Sequence, residues 1–197
     1  MTKLGWSILA LILLLGAGFA SLVSLGSSPP VATPPANVEP ARPEPAIAAP
    51  GPLLVPVAGV ARAALVDTFG QPRDGGARHH EAIDIMAPRG TPVLAAADGR
   101  VEKLFDSVAG GRTIYQRSAD GGTIYYYAHL DGYRDGLAEG QTLRRGEPIA
   151  TVGATGNADP GAPHLHFSVL RMQPGQGWSE GQAVDPYPLL AEPRGNR

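Results

Sequence analysis

Half of the chain's twenty prolines lie between Ser27 and Pro56, among alanine, valine and glutamate, and this segment limits the folding problem more than any other. Proline fixes φ near −65° and brings no amide hydrogen, so a stretch this rich in it stays extended instead of packing. Residues 27–56 therefore read as a semi-rigid spacer, extending about 3.1 Å per residue. A core has to be built from the residues C-terminal to it, and a domain is expected over residues 57–191 with a short tail at 192–197.

The segment preceding the spacer is of a different kind. After Met1-Thr2-Lys3 an uncharged apolar run extends from Leu4 to Leu25, and Lys3 is the sole charge before Glu39. Such a run meets the roughly 20 residues needed to cross a hydrocarbon layer as a helix. Residues 1–26 are expected to be a signal anchor or a signal peptide that leaves the positive end in the cytoplasm and exports the rest. Gly18-Phe19-Ala20 offers a small-x-small cleavage pattern, while the apolar character of Leu22, Val23 and Leu25 favours an uncleaved transmembrane helix.

Beyond Pro56 short β-type runs alternate with glycine and proline, and the expected class is mainly β, a compact antiparallel sheet domain. Two hairpins are anticipated. One joins Thr91–Ala97 to Arg100–Phe105 through Asp98-Gly99; the other joins Thr113–Arg117 to Thr123–His129 through residues 119–122. Pro148–Val152 and His164–Leu170 supply further strands. With no cysteine, disulfides, thiolate metal sites and cysteine nucleophiles are excluded together. A formal net charge of −2 gives no basic footprint for nucleic acid. Nothing in the sequence speaks to oligomeric state.

The chemistry resides in five histidines at 79, 80, 129, 164 and 166. In His164-Leu165-His166-Phe167-Ser168-Val169, the strand period of two sends Leu165, Phe167 and Val169 to one face and both histidines to the other. Two imidazoles that close can share a metal, or one can bind it while its neighbour reaches a water. His80 and Asp84 would be roughly 13 Å apart on a straight strand, so the backbone must bend to bring them to one ion. A helical His-Glu-x-x-His site is excluded: no second histidine stands at the required place, and Ile83, Ile85 and Pro88 disfavour a helix. Glu81 reads as a solvated side chain. Two histidines and one aspartate would leave a fourth tetrahedral position for water, the layout of a catalytic zinc site.

In order along the chain, His80-x-x-x-Asp84, Tyr127-Ala128-His129-Leu130 and His164-Leu165-His166 resemble the lysostaphin-type, or LytM, zinc metallopeptidases. The similarity extends from about Val57 to Pro188 and takes in Asp67-Thr68-Phe69-Gly70 and Gly153-Ala154-Thr155-Gly156. It implies a β-domain of the duplicated-hybrid-motif type with His80, Asp84 and His166 on zinc, His129 and His164 facing the reacting water and carbonyl, and peptidoglycan as substrate. Arg78, Arg112 and Tyr127 are expected to line the groove. His79 is expected to point away to the surface. Ala82 departs from the glycine that many relatives carry there, so the bend is expected to differ. The resemblance together with the export signal suggests a catalytic domain in the periplasm, held at the inner membrane or released from it. The alternative is a non-catalytic activator of cell-wall amidases, such as related domains become when metal ligands are lost.

Overall fold

A computed structural model describes residues 53–190. The apolar run at residues 1–26, the spacer up to residue 52 and the tail at 192–197 lie outside the described residues. Among the described residues no helix is long and apolar enough to cross a membrane.

The packed body begins at Leu53, ahead of the Val57 boundary that the proline pattern indicated. Leu53, Val55 and Val57 are all buried in the core, and their backbone joins it: Leu54 N–H donates to the Ala96 carbonyl at 2.9 Å, and Leu94 N–H to that of Pro56 at 3.0 Å. A proline at a sheet margin is tolerated because only its carbonyl is asked to bond. Pro56 belongs to the domain.

The described residues form eleven strands, with every pairing antiparallel. They are β1 (Pro72–Arg73), β2 (Arg78–His79), β3 (Ile83–Met86), β4 (Pro92–Leu94), β5 (Gly99–Ser107), β6 (Gly111–Ser118), β7 (Thr123–Tyr133), β8 (Thr142–Leu143), β9 (Pro148–Val152), β10 (His164–Arg171) and β11 (Gln182–Val184). One turn of helix, α1 (Tyr187–Leu190), closes the body and buries Leu190. β1 and β2 form a small separate hairpin, while the principal sheet runs β11-β10-β7-β6-β5-β8. β9 pairs with both β4 and β7, and β3 with β10. The chain is thus a mainly β antiparallel domain.

The second anticipated hairpin is present as β6–β7. The first is not. β4 bonds to β9 instead, and β5 lies between β6 and β8. Asp98-Gly99 carries the composition of a turn for other reasons. The Asp98 carboxylate accepts the Arg145 N–H at 2.7 Å, and Gly99 sits where a Cβ would lie 2.2 Å from the Arg117 carbonyl oxygen. The glycine serves close strand approach, not reversal.

Candidate metal centre

β10 carries the alternation that the sequence showed. Leu165, Phe167 and Val169 enter the core, and His164 and His166 stand on the opposite, partly exposed face. β3 is bonded alongside with His166 directly opposite Asp84, and on the other flank His166 faces Ala128 of β7. Register alone therefore puts a histidine, a carboxylate and the neighbourhood of His129 side by side.

The required bend falls at residues 80–82, between β2 and β3. Ala82 is fully buried there, and His129 is the sole non-glycine residue with positive φ among those described. Alanine thus suits position 82 here without glycine's freedom. Thr68 fastens both sides of the bend: its carbonyl accepts from His80 Nδ1 at 2.9 Å, and its Oγ1 accepts from the Asp84 N–H at 2.9 Å.

These contacts fix the histidine tautomers. A carbonyl can only accept, so His80, His129 and His164 each carry the proton on Nδ1, donated to Thr68, Thr155 and Ala162 respectively at 2.9, 2.8 and 2.8 Å. Their Nε2 lone pairs remain. His80 Nε2 lies 3.1 Å from Asp84 Oδ1 and 3.1 Å from His166 Nδ1, which is itself 3.2 Å from the same carboxylate oxygen. In its neutral form His80 therefore aims an Nε2 lone pair at the Asp84 carboxylate oxygen, an arrangement relieved either by a proton or by a shared cation. Two ligands about 2.0–2.2 Å from one tetrahedral ion are roughly 3.3 Å apart, so the spacing fits a zinc-sized ion. The three donor atoms all lie within 4.8 Å of one another.

Electrostatics are set by the same packing. Burial alone would raise the Asp84 carboxyl, but hydrogen bonds and charge from His166 and His80 hold it well below the usual carboxylate range. Burial, aided by His166, pushes His129 down to about 4. Burial lowers His166 too, against the pull of Asp84.

His129 enters from a break in β7. Between Tyr127 and Leu130 that strand advances three residues while β6 advances two, from Ile114 to Arg112. His129 takes φ of 61° at this bulge, its N–H donates to the Gly110 carbonyl at 2.8 Å, and its ring comes to rest 5.0 Å from that of His164 and 5.4 Å from that of His166. Thr155, which holds its Nδ1, lies in a loop pressed against the start of β6. A Cβ on Gly156 would sit 2.3 Å from Gly111 N, and φ at Gly156 is +72°.

The open groove over these groups is lined by Arg73, Arg78, Tyr115, Tyr126, Asp159 and the four histidines 80, 129, 164 and 166, among others. Arg78 is therefore where the sequence suggested. Tyr127 is not. It is fully buried, and its hydroxyl donates to Gln116 Oε1 at 2.6 Å and accepts the Ala96 N–H at 2.9 Å. An unbroken strand would send Tyr127 and His129 to one face, and the bulge separates them. Arg112 is also absent from the lining; its guanidinium donates to the Asp131 carbonyl and sits 5.6 Å from the Tyr133 ring centre. His79 is exposed, at the groove's rim, with Nδ1 3.3 Å from the Gly70 carbonyl. Glu81 is exposed as expected. Sequence reasoning missed Arg73, whose Nη2 meets Asp84 Oδ2 at 2.5 Å, and Tyr126, whose ring is edge-on to His166 at 6.1 Å. Neither belongs to a motif that spacing could have marked.

Comparison with known proteins agrees with this geometry. The model of peptidase family M23 matches residues 78–186. The L-Ala--D-Glu endopeptidase of Bacillus subtilis is 37% identical over 129 residues, covering 62% of this chain and 38% of the relative. The peptidoglycan DD-endopeptidase ShyC of Vibrio cholerae is 36% identical over 99 residues, covering 50% of this chain and 22% of the relative. The chain thus spans well under half the length of either. Among solved structures, the catalytic domain of the antimicrobial peptidase lysostaphin from Staphylococcus simulans superposes with a TM-score of 0.52 at 30% identity, over 61% of this chain and 86% of that one.

Proposed function

Because the chain belongs to peptidase family M23, we propose that it is a zinc-dependent endopeptidase that hydrolyses peptide crosslinks of bacterial peptidoglycan. The observation that carries this reading is the convergence of His80 Nε2, Asp84 Oδ1 and His166 Nδ1, three potential ligand atoms drawn together at the spacing of ligands to one cation. Related chains with endopeptidase names support the substrate class.

His80, Asp84 and His166 would hold the ion. When bound, zinc supplies Lewis acidity to a water and to the scissile carbonyl. The remaining work falls to two side chains. His129 and His164 have their Nδ1 protons committed to Thr155 and Ala162, which leaves each Nε2 free to accept. His129 is neutral at pH 7, the form a base requires. One of the pair takes a proton from the attacking water at Nε2 and returns it to the departing amine nitrogen. The other faces the oxygen that gains charge and orients the scissile group; general acid–base help of this kind contributes about 10² to 10⁴ in rate.

In the cell, residues 1–26 would hold the domain at the inner membrane through the proline spacer, with catalysis in the periplasm. The test is incubation with purified sacculi, with and without a chelator, then chromatography of the fragments. Metal-dependent release of uncrosslinked stem peptides is expected. H129A and H164A should each abolish release while binding one zinc per chain. Wild-type protein that binds zinc yet releases nothing would point to an amidase activator instead; H129A or H164A losing zinc stoichiometrically would refute the division of roles.

A further inference from the structure

The two oxygens of Asp84 have separate employments. Oδ1 faces His80 Nε2 at 3.1 Å, His166 Nδ1 at 3.2 Å and His164 Nε2 at 3.8 Å. Oδ2 is turned away and accepts a charge-assisted hydrogen bond from Arg73 Nη2 at 2.5 Å. Arg73 precedes the segment matched by the family model, which begins at residue 78. Its place is set by the β1–β2 hairpin, where it lies across from Arg78. That hairpin is tied to the metal centre, since Gly70 N–H donates to the His80 carbonyl at 2.7 Å and His80 N–H to that of Gln71 at 2.9 Å. The guanidinium and the His80 imidazole are thus carried on one hydrogen-bonded segment of chain.

A carboxylate beside a divalent ion can engage it through one oxygen or through both. With both, the coordination shell fills at the expense of the position that water or substrate needs. A planar cation clamped on Oδ2 removes that choice, because turning the carboxylate to chelate would break the ion pair. We propose that Arg73 is a positioning residue that holds Asp84 as a one-oxygen ligand, with Oδ2 kept on the guanidinium and the remaining coordination position left open. The inference rests on the proposal that these ligands hold zinc and extends it to a residue outside the ligand set.

Cobalt(II) tests it, because its visible absorption is several-fold stronger in four-coordinate than in five-coordinate sites. Wild-type chain, R73M and R73K are loaded with cobalt, and zinc affinity is measured by competition with a chromophoric chelator. The wild type is expected to show the intense four-coordinate spectrum. R73M should lose several-fold in intensity and bind zinc about 10- to 100-fold more weakly, the usual cost of removing a group that orients a ligand. R73K, which keeps a cation for Oδ2, should recover part of both. R73M with unchanged spectrum and affinity overturns the proposal while leaving the metal centre intact; a wild type that takes up no metal overturns both. Zinc-edge X-ray absorption of the wild type needs no folded variant, and a carboxylate seen bound through two oxygens would equally overturn it.

Discussion

Replacing Tyr127 by phenylalanine separates a structural role for this side chain from a role in the groove. The hydroxyl is the junction of a closed polar network inside an apolar core. It donates to Gln116 Oε1 at 2.6 Å and accepts from the Ala96 N–H at 2.9 Å, while Gln116 Nε2 donates to the Ala97 carbonyl at 2.6 Å. Tyr127, Gln116 and Ala96 are all fully buried, so water has no access to replace what is lost. Y127F leaves one acceptor and one donor unsatisfied, each costing about 1–3 kcal/mol. Relief of the hydroxyl's own desolvation offsets part of this, for a net loss of about 2–4 kcal/mol. Against a typical stability of about 5–15 kcal/mol the variant still folds. With a urea m-value of about 2 kcal/mol per molar, the unfolding midpoint falls by roughly 1–2 M. Far-UV circular dichroism in urea measures it, and the rate of crosslink cleavage at about 20 °C should match the wild type. A midpoint within about 0.2 M of the wild type refutes the network argument. Normal stability with a tenfold slower cleavage would return the hydroxyl to the groove.

G156A forces a Cβ to within 2.3 Å of Gly111 N at φ of +72°; left-handed strain and overpacking together should cost about 2–5 kcal/mol, read as a lower melting temperature, with cleavage falling as the Thr155 carbonyl leaves His129. A82G should lower stability by about 1–2 kcal/mol, because position 82 is buried and needs no positive φ; a gain in melting temperature refutes this. In metal-stripped protein, His129 has a folded pKa of about 4 against 6.5 for the ordinary value. The unfolded chain therefore binds the proton first as pH falls, so stability present above about pH 6.5 is lost between there and pH 4, to the extent of roughly 3 kcal/mol. Urea titrations at about pH 7 and about pH 4.5 check the sign; equal midpoints contradict it.

The features legible in the sequence were local. The His164-x-His166 alternation reads directly from the period of two, and the need for a bend between His80 and Asp84 comes from strand length. Pairing between distant segments did not read in the same way. That His166 lies across from Asp84 depends on which strands flank β10, and no composition of β3 announces it. Asp98-Gly99 misled because a glycine demanded by a neighbouring carbonyl 2.2 Å from its missing Cβ looks identical, in one dimension, to a glycine demanded by a turn. Tyr127, two residues from His129, would share its face on an unbroken strand, and the bulge in β7 breaks that alternation, while the Arg112 guanidinium turns to the Asp131 carbonyl. Arg73 stayed hidden for the opposite reason, since its partner is eleven positions away across a small hairpin.

The left-handed backbone at His129 has a thermodynamic consequence of its own. Glycine or asparagine would occupy such a conformation at less expense, by about 1 kcal/mol or more, so the folding reaction by itself selects against an imidazole there. Among the described residues the domain tolerates that penalty at this one non-glycine position, and the packing of the sheet as a whole has to absorb it.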